Sequence, residues 1–305
     1  MNQATMQQLE TETFTPSISS SAMLVDLSIG IWEGRKKDKA ASEKVVREAY
    51  ATRGAATVNK QLLGNCAELG GLKQLAAQVR QWNINSTLPW ATRGARLLTN
   101  AQFFDYKKEV TAFKQQFDRL VEEFLTAYSW EVSQAQARLG NLFNRDDYPP
   151  EHELRHKFRF STVFMPLPEA GDFRLDTQNE AMRQVKEQLS EQYAEFYQTK
   201  IKDAMDDLWK RLLEPLQNMS EKLDYSNGEK PTLFRDTLVS NIEDIAKLLN
   251  TCNVTQDPNM ERVRKDLINT LRGVTPAGLR EDPHLRLETK RNVDNIIKTL
   301  PSLGW

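Results

Sequence analysis

Two stretches of the chain alternate apolar and polar residues with the two-residue period of a strand. Between Met23 and Ile31 the odd positions are apolar, with Asp26, Ser28 and Gly30 between them, which predicts a strand with one buried face. Phe158 to Met165 alternates again and predicts a second strand, ended by Pro166 and Pro168. Gly171 then turns the chain into a third short strand at "DFRLD". The remaining pattern is helical. After the polar turn "EGRKKDKA", a helix is expected from about Lys39 to Ala51, with one or two more over residues 56–82, broken near Gly70–Gly71. "NINSTLPWATRGARLL" reads as irregular or short-stranded.

The next helix, capped by Asn100, carries a seam of aromatic weight. Phe103, Tyr106, Val110, Phe113, Phe117, Leu120, Phe124 and Tyr128 recur at steps of three and four, the spacing of one helix face. "NRDDYPP" breaks the chain after about Phe143. Thr177–Gln178–Asn179–Glu180 is a capping box that opens the longest helix, expected to run to about Asp224. Its stripe starts Met182, Val185, Leu189, Tyr193, Phe196 and continues through Leu208, Leu212 and Leu216 to Leu223. Pro215 is expected to kink or split it. Asn227–Gly228 stops it, and Pro231 starts a return helix to about Asn250. Asp257–Pro258 and Asp282–Pro283 each start a shorter helix, with an acidic cap and proline at the first helical position.

The expected fold is therefore α+β and predominantly α-helical. It has a small antiparallel sheet in the first half, and a long helical hairpin and C-terminal bundle in the second. Residues 1–21 are expected to be a disordered tail, 22–172 an α+β domain, and 173–305 an all-α domain with the long helix at 177–224. The tail has no basic residue and no apolar core, unlike a secretory signal. No run approaches the ~18 apolar residues of a membrane span. Cys66 and Cys252 match no redox or metal spacing. A cytoplasmic protein with no cofactor and no membrane is the resulting expectation.

Net charge is −1, yet residues 34–115 hold fifteen Lys/Arg against six acids while residues 116–225 hold fourteen against twenty-one. The basic segment contains Arg35, Lys36, Lys37, Lys39, Arg53, Arg93, Arg96, Lys107 and Lys108, and repeats Ala-Thr-Arg-Gly-Ala at 51–55 and 91–95. These cations, with Trp90 as a stacking group, make a candidate track for single-stranded nucleic acid. Pairing of this face with the acidic segment, within or between subunits, is the competing reading.

His152–Glu153–Leu154–Arg155–His156 spells H-E-x-x-H, the zincin pattern in which two histidines one turn apart hold Zn²⁺ and the glutamate activates water. Pro149–Pro150 before it and the strand signal at Phe158 leave about two turns of helix. The run is charged throughout, and the extended motif would need His where Thr162 stands. A zinc-dependent hydrolase is therefore kept as an alternative only, with no catalytic or metal residue assigned.

The stretches "MLVDLSIGIWEGRKKDKAASEKV", "VNKQLL", "LPWATRGARLL", "FFDYKKEV", "LFNRDDYPP" and "FRFSTVFMPLPEAGDFRLD" resemble a bacteriophage and prophage family whose function is unknown. The resemblance covers roughly residues 22–176. It implies a setting near MoxR-type AAA+ ATPases and von Willebrand A-type proteins, and hence an adaptor or substrate of a remodelling machine. It carries no catalytic residues. The functional expectation is a non-enzymatic protein that self-associates or docks to a protein partner through its helices, with Phe103, Tyr106, Phe113, Phe117 and Phe124 as candidate interface residues.

Overall fold

The structure, a computed structural model, describes residues 18–91, 94–167, 180–224 and 236–301. The chain is α+β and predominantly helical, as its pattern predicts. It divides into two compact units that interleave along the sequence. One takes the residues up to Val25, Ile84–Phe104 and those from Phe164 onward; the other takes Asp26–Asn83 and Asp105–Val163. The expected boundary at Gly171–Asp172, the third strand, the arginine at position 93, and the turn at Asn227–Gly228 lie outside the described residues.

After a one-turn helix α1 (Ile18–Ser21), strands β1 (Ala22–Gly30), β4 (Leu88–Pro89), β5 (Arg96–Thr99) and β6 (Arg159–Pro166) form a sheet in the order β4-β5-β1-β6. β1 and β5 run antiparallel with Ala22 opposite Thr99 and Val25 opposite Arg96. Both long strands appear where the apolar alternation puts them.

In the first unit the sheet residues meet a helical bundle. α6 (Glu180–Leu223) packs its buried stripe on α7 (Thr237–Cys252) and α10 (Pro283–Thr299), and α8 (Pro258–Leu271) packs on those two. Leu208, Leu212, Leu216 and Met219 are wholly buried on α6, as are Ile242 on α7 and Val263 on α8. α6 passes through Pro215 without ending. The expected split is overridden because Leu212 and Leu216, on either side, are both locked in the core. Each buried leucine contributes about 2 kcal/mol against the ~3 kcal/mol an interior proline costs. The proline-led starts are confirmed: Asp257 accepts from the Asn259 N–H and Asp282 from the His284 N–H, both at 2.8 Å. A further short helix, α9 (Pro276–Glu281), is capped the same way by Thr275.

In the second unit, α4 (Phe103–Leu139, from Asp105 onward) is the spine. Around it lie α3 (Ala67–Asn85), α5 (Glu151–Arg155) and the parts of β1 and β6 in this unit. α3 is continuous through Gly70–Gly71, contrary to the expected break. Leu69, Leu72, Leu75, Ala76 and Val79 are all buried along it, and that burial outweighs the ~1 kcal/mol each glycine costs. The segment expected to be a polar turn is instead strand β2 (Arg35–Asp38). It pairs antiparallel with β3 (Val58–Gln61) around α2 (Lys39–Glu48), with Arg35 opposite Gln61 and Asp38 opposite Val58. Charged residues on both faces hide this ribbon from any hydrophobic pattern.

Ion pairs help hold that ribbon. Asp147 meets Lys36 at 2.7 Å and Lys60 at 2.5 Å, and Lys60 also reaches Asp38 at 3.4 Å. The Lys60 and Asp147 side chains are only 8% and 4% exposed. Burial alone would raise the Asp147 carboxyl, but the Lys36 and Lys60 ammoniums more than offset this and hold it below its ordinary value. Its contribution is therefore present above the unfolded carboxylate range and lost as pH falls through the lowered value. Asp147→Ala, which strands a buried Lys60, is expected to destabilise the fold by about 3 kcal/mol. Lys36→Ala removes a half-exposed partner and is expected to cost under ~1 kcal/mol. Urea unfolding of both variants at neutral pH measures the contrast.

Candidate functional site

Three features bear on function: the basic ribbon, the faces of the long helices, and a buried cluster of metal-capable side chains. On the ribbon, Lys37, Lys39 and Arg53 line an open hollow of about 290 Å³ together with Glu43. Arg53 faces Glu43 at 3.8 Å, and Arg35 donates to Gln61 at 3.3 Å. Lys36 is drawn to Asp147. Tyr50, just past the end of α2, is 98% exposed and has φ +52°. An exposed tyrosine in the left-handed region is unusual. The sequence reading passed over it because it lies at the end of a helical run.

Two of the other residues proposed for nucleic acid are taken up within the first unit. Trp90 is buried in the first unit, with its ring centroid 5.4 Å from that of Tyr197, so it cannot stack on a base. Arg96 donates to the Thr87 hydroxyl at 2.6 Å and is half-buried. Both belong to the other unit from the ribbon. Lys107 and Lys108 are exposed on α4.

The aromatic seam faces inward. Tyr106, Phe113, Phe117 and Phe124 are buried, and Phe103 is half-buried. Trp82 stacks on Tyr106 at 4.7 Å, Phe160 meets Phe117 at 5.6 Å, and Phe158 meets Phe124 at 5.4 Å. Phe103 packs against Phe164 at 5.2 Å in the first unit. Residues assigned to a partner interface are thus spent on the chain's own cores. Their aromatic area made that the more favourable use.

The face left open is elsewhere. Over its first turns α6 exposes Met182, Val185 and Phe196, with Leu189 half-buried. Its stripe reaches the core at Tyr197, half-buried against Trp90, and is fully buried from Ile201 onward.

The H-E-x-x-H letters fall on α5, which has only five residues, with His156 as its C-cap. His152, Glu153 and His156 are all exposed, and Arg155 is held by Glu122. The geometry offers this motif no metal site. Among the described residues, the group of three or more metal-capable side chains within mutual reach is Cys66, Glu68 and Glu131, whose donor atoms lie within 4.8 Å of one another.

That cluster is set by two helices. The loop before α3 is anchored where the Leu62 carbonyl accepts from Arg138 and from the Tyr148 hydroxyl, both at 2.9 Å. Gly64 takes φ +56°, a conformation that favours glycine, and a Cβ there would displace the Arg138 guanidinium, 2.8 Å away. Cys66 then precedes α3, its carbonyl accepting from the Gly70 N–H, and its thiol lies 3.4 Å from Glu68 Oε2. Glu131 comes from α4 and is 9% exposed. It makes no hydrogen bond or ion pair among the described residues. Burial first, then repulsion from Glu68, raises its carboxyl above the ordinary value, while Arg138 pulls the other way. Burial likewise pushes the Cys66 thiol up to about 11. No cysteine or acidic spacing announces this group. The available signal was periodicity: Glu131 continues the buried series Phe117, Val121, Phe124, Tyr128, and Ala135 follows it.

Comparison of the chain with protein-family models, curated proteins and solved structures finds no match. Among the described residues no helix is long and apolar enough to cross a membrane.

A raised carboxyl stabilises the fold below the unfolded carboxylate range, and that contribution is lost as pH rises through the raised value. Glu131→Gln, which removes the buried charge, is therefore expected to stabilise the metal-free protein at neutral pH by on the order of 1 kcal/mol. The gain should vanish at acidic pH, where Glu131 is already protonated. Thermal melts across that range check the sign.

Proposed function

We propose that this chain serves as a protein-docking element rather than a catalyst, and that it self-associates through the first turns of α6. The observation that carries the reading is the apolar stripe left open there: Met182, Val185 and Phe196, nearly half exposed each, with Leu189 between them. The steps 182, 185, 189, 193 and 196 are close to a coiled-coil seam. Two antiparallel copies centred on Leu189 would set Met182 of one opposite Phe196 of the other, a two-fold arrangement that closes on itself. Attachment to a remodelling ATPase would then present paired copies of the chain to that machine. Sedimentation velocity at ~10 μM is expected to show a dimer if the contact reaches micromolar affinity, about −8 kcal/mol. Val185→Glu/Phe196→Glu is expected to give a monomer with unchanged helicity. A wild-type chain that stays monomeric overturns the reading.

A second reading is favoured by Tyr50. Its fully exposed ring lies in the same short module as Arg35, Lys37, Lys39 and Arg53, the combination of stacking group and cations that suits single-stranded nucleic acid. Binding of a labelled oligonucleotide should weaken steeply with salt, by about 0.7 log units per decade for each phosphate neutralised. Tyr50→Ala is expected to cost about 1–3 kcal/mol of affinity without changing that slope, and Lys37→Ala/Lys39→Ala to flatten it. No binding at ~50 mM salt, where exposed charges are only lightly screened, excludes it.

A further inference from the structure

We propose that Cys66, Glu68 and Glu131 form a binding site for a divalent cation of the zinc class. The donors come from the start of α3 and the middle of α4, and all lie within 4.8 Å of one another. Ligand atoms around a tetrahedral zinc stand roughly 3.5 Å apart, given bonds of about 2.0 Å to oxygen and 2.3 Å to sulfur. The Cys66–Glu68 pair, at 3.4 Å, already has that separation, and a small side-chain adjustment brings Glu131 in. Glu131 is the independent indication of a ligand. Glu131 as a residue is only 9% exposed, its carboxylate lies within reach of the other two donors, and it makes no hydrogen bond or ion pair among the described residues. An acid at a core position is costly unless something cationic joins it. Arg138 is the nearby cation and offsets part of this cost, but its guanidinium donates to the Leu62 carbonyl.

The donor set selects the ion. A thiolate disfavours magnesium and calcium, which take oxygen ligands, and suits zinc or cobalt. Three protein ligands leave a fourth position to water. On binding, the Cys66 S–H bond breaks, its proton passes to solvent, and the sulfur electron pair bonds to the cation. Binding therefore releases a proton and strengthens with pH. The cation would tie the start of α3 to α4 and replace electrostatic repulsion by a cross-link within the second unit.

The test is titration of the full-length metal-free chain with Co²⁺ alone, read by the near-ultraviolet thiolate-to-cobalt charge-transfer band, by proton release in weak buffer, and by thermal melting. One cobalt per chain, displaced by Zn²⁺, is expected, with a raised melting temperature. Cys66→Ser should abolish the charge-transfer band. Glu131→Gln should weaken binding at least about tenfold, and Cys252→Ser should change nothing, because that thiol is buried beside Gln102 in the other unit. Should Cys66→Ser fail to fold, Glu131→Gln and Glu68→Gln, which keep the side-chain shape, decide the matter alone. The proposal is overturned if no saturable band appears, if the band survives Cys66→Ser, or if Glu131→Gln binds cobalt as tightly as the wild type.

Discussion

The burial of one aromatic helix face is the constraint on which the second unit rests. From Tyr106 to Tyr128, α4 presents five large rings along one side, with Val110 and Val121 between them, a stripe too apolar to leave in water. Trp32, Trp82 and the pair Phe158 and Phe160 are brought to it from three separate places in the sequence. Those meetings dictate where β1 ends, how α3 lies, and why β6 follows α5 so closely. Tyr106 also donates to Asn83 at 2.7 Å, so even the polar end of a seam residue is satisfied within the unit. A surface that fits its own chain this completely is unavailable to a partner.

The uneven charge along the sequence has a related explanation. The basic segment and the acidic one that follows meet at defined points within the second unit, where Asp147 gathers Lys36 and Lys60. Only part of the basic charge is consumed this way. Lys37, Lys39 and Arg53 keep their exposure, and the tyrosine among them is the chain's most exposed large hydrophobic residue of those described. Charge totals taken over a hundred residues therefore mix two roles: cations that close a ribbon and cations that face solvent. Only the second kind can contribute to the salt dependence of binding.

Strands β1 and β6, the aromatic helix, and the helices started by Asp257–Pro258 and Asp282–Pro283 could all be read from the chain. In each, a local signal and the tertiary environment agree. Misreadings arose where they conflict. Gly70–Gly71 and Pro215 weaken a helix locally, and the apolar residues packed on both sides keep it intact. The ribbon of β2 and β3 has no apolar alternation to betray it, since its register depends on ion pairs to Asp147, far along the sequence. Trp90 looked like a stacking group only because its partner Tyr197 is more than a hundred residues away. The candidate metal cluster shares this property: Cys66 and Glu68 are neighbours, but Glu131 joins them only through the packing of α3 on the α4 seam.

That seam also explains why Glu131 is informative where the histidines of H-E-x-x-H are not. His152 and His156 are exposed on a five-residue helix, where a polar side chain costs nothing and implies nothing. Glu131 stands in a register otherwise filled by Phe124, Tyr128 and Ala135. An aliphatic residue there would continue the core and remove repulsion with Glu68. The cost of a buried acid falls on folding whether or not a ligand is present, so its placement is intelligible if a bound cation reverses the sign of its contribution. The same logic makes the raised Cys66 thiol consistent with a metal ligand. Without a cation, burial beside two carboxylates keeps it protonated and unreactive; with one, those same carboxylates become fellow ligands. Letter patterns locate donors along a chain, but the energetic penalty at a core position distinguishes a site from a coincidence.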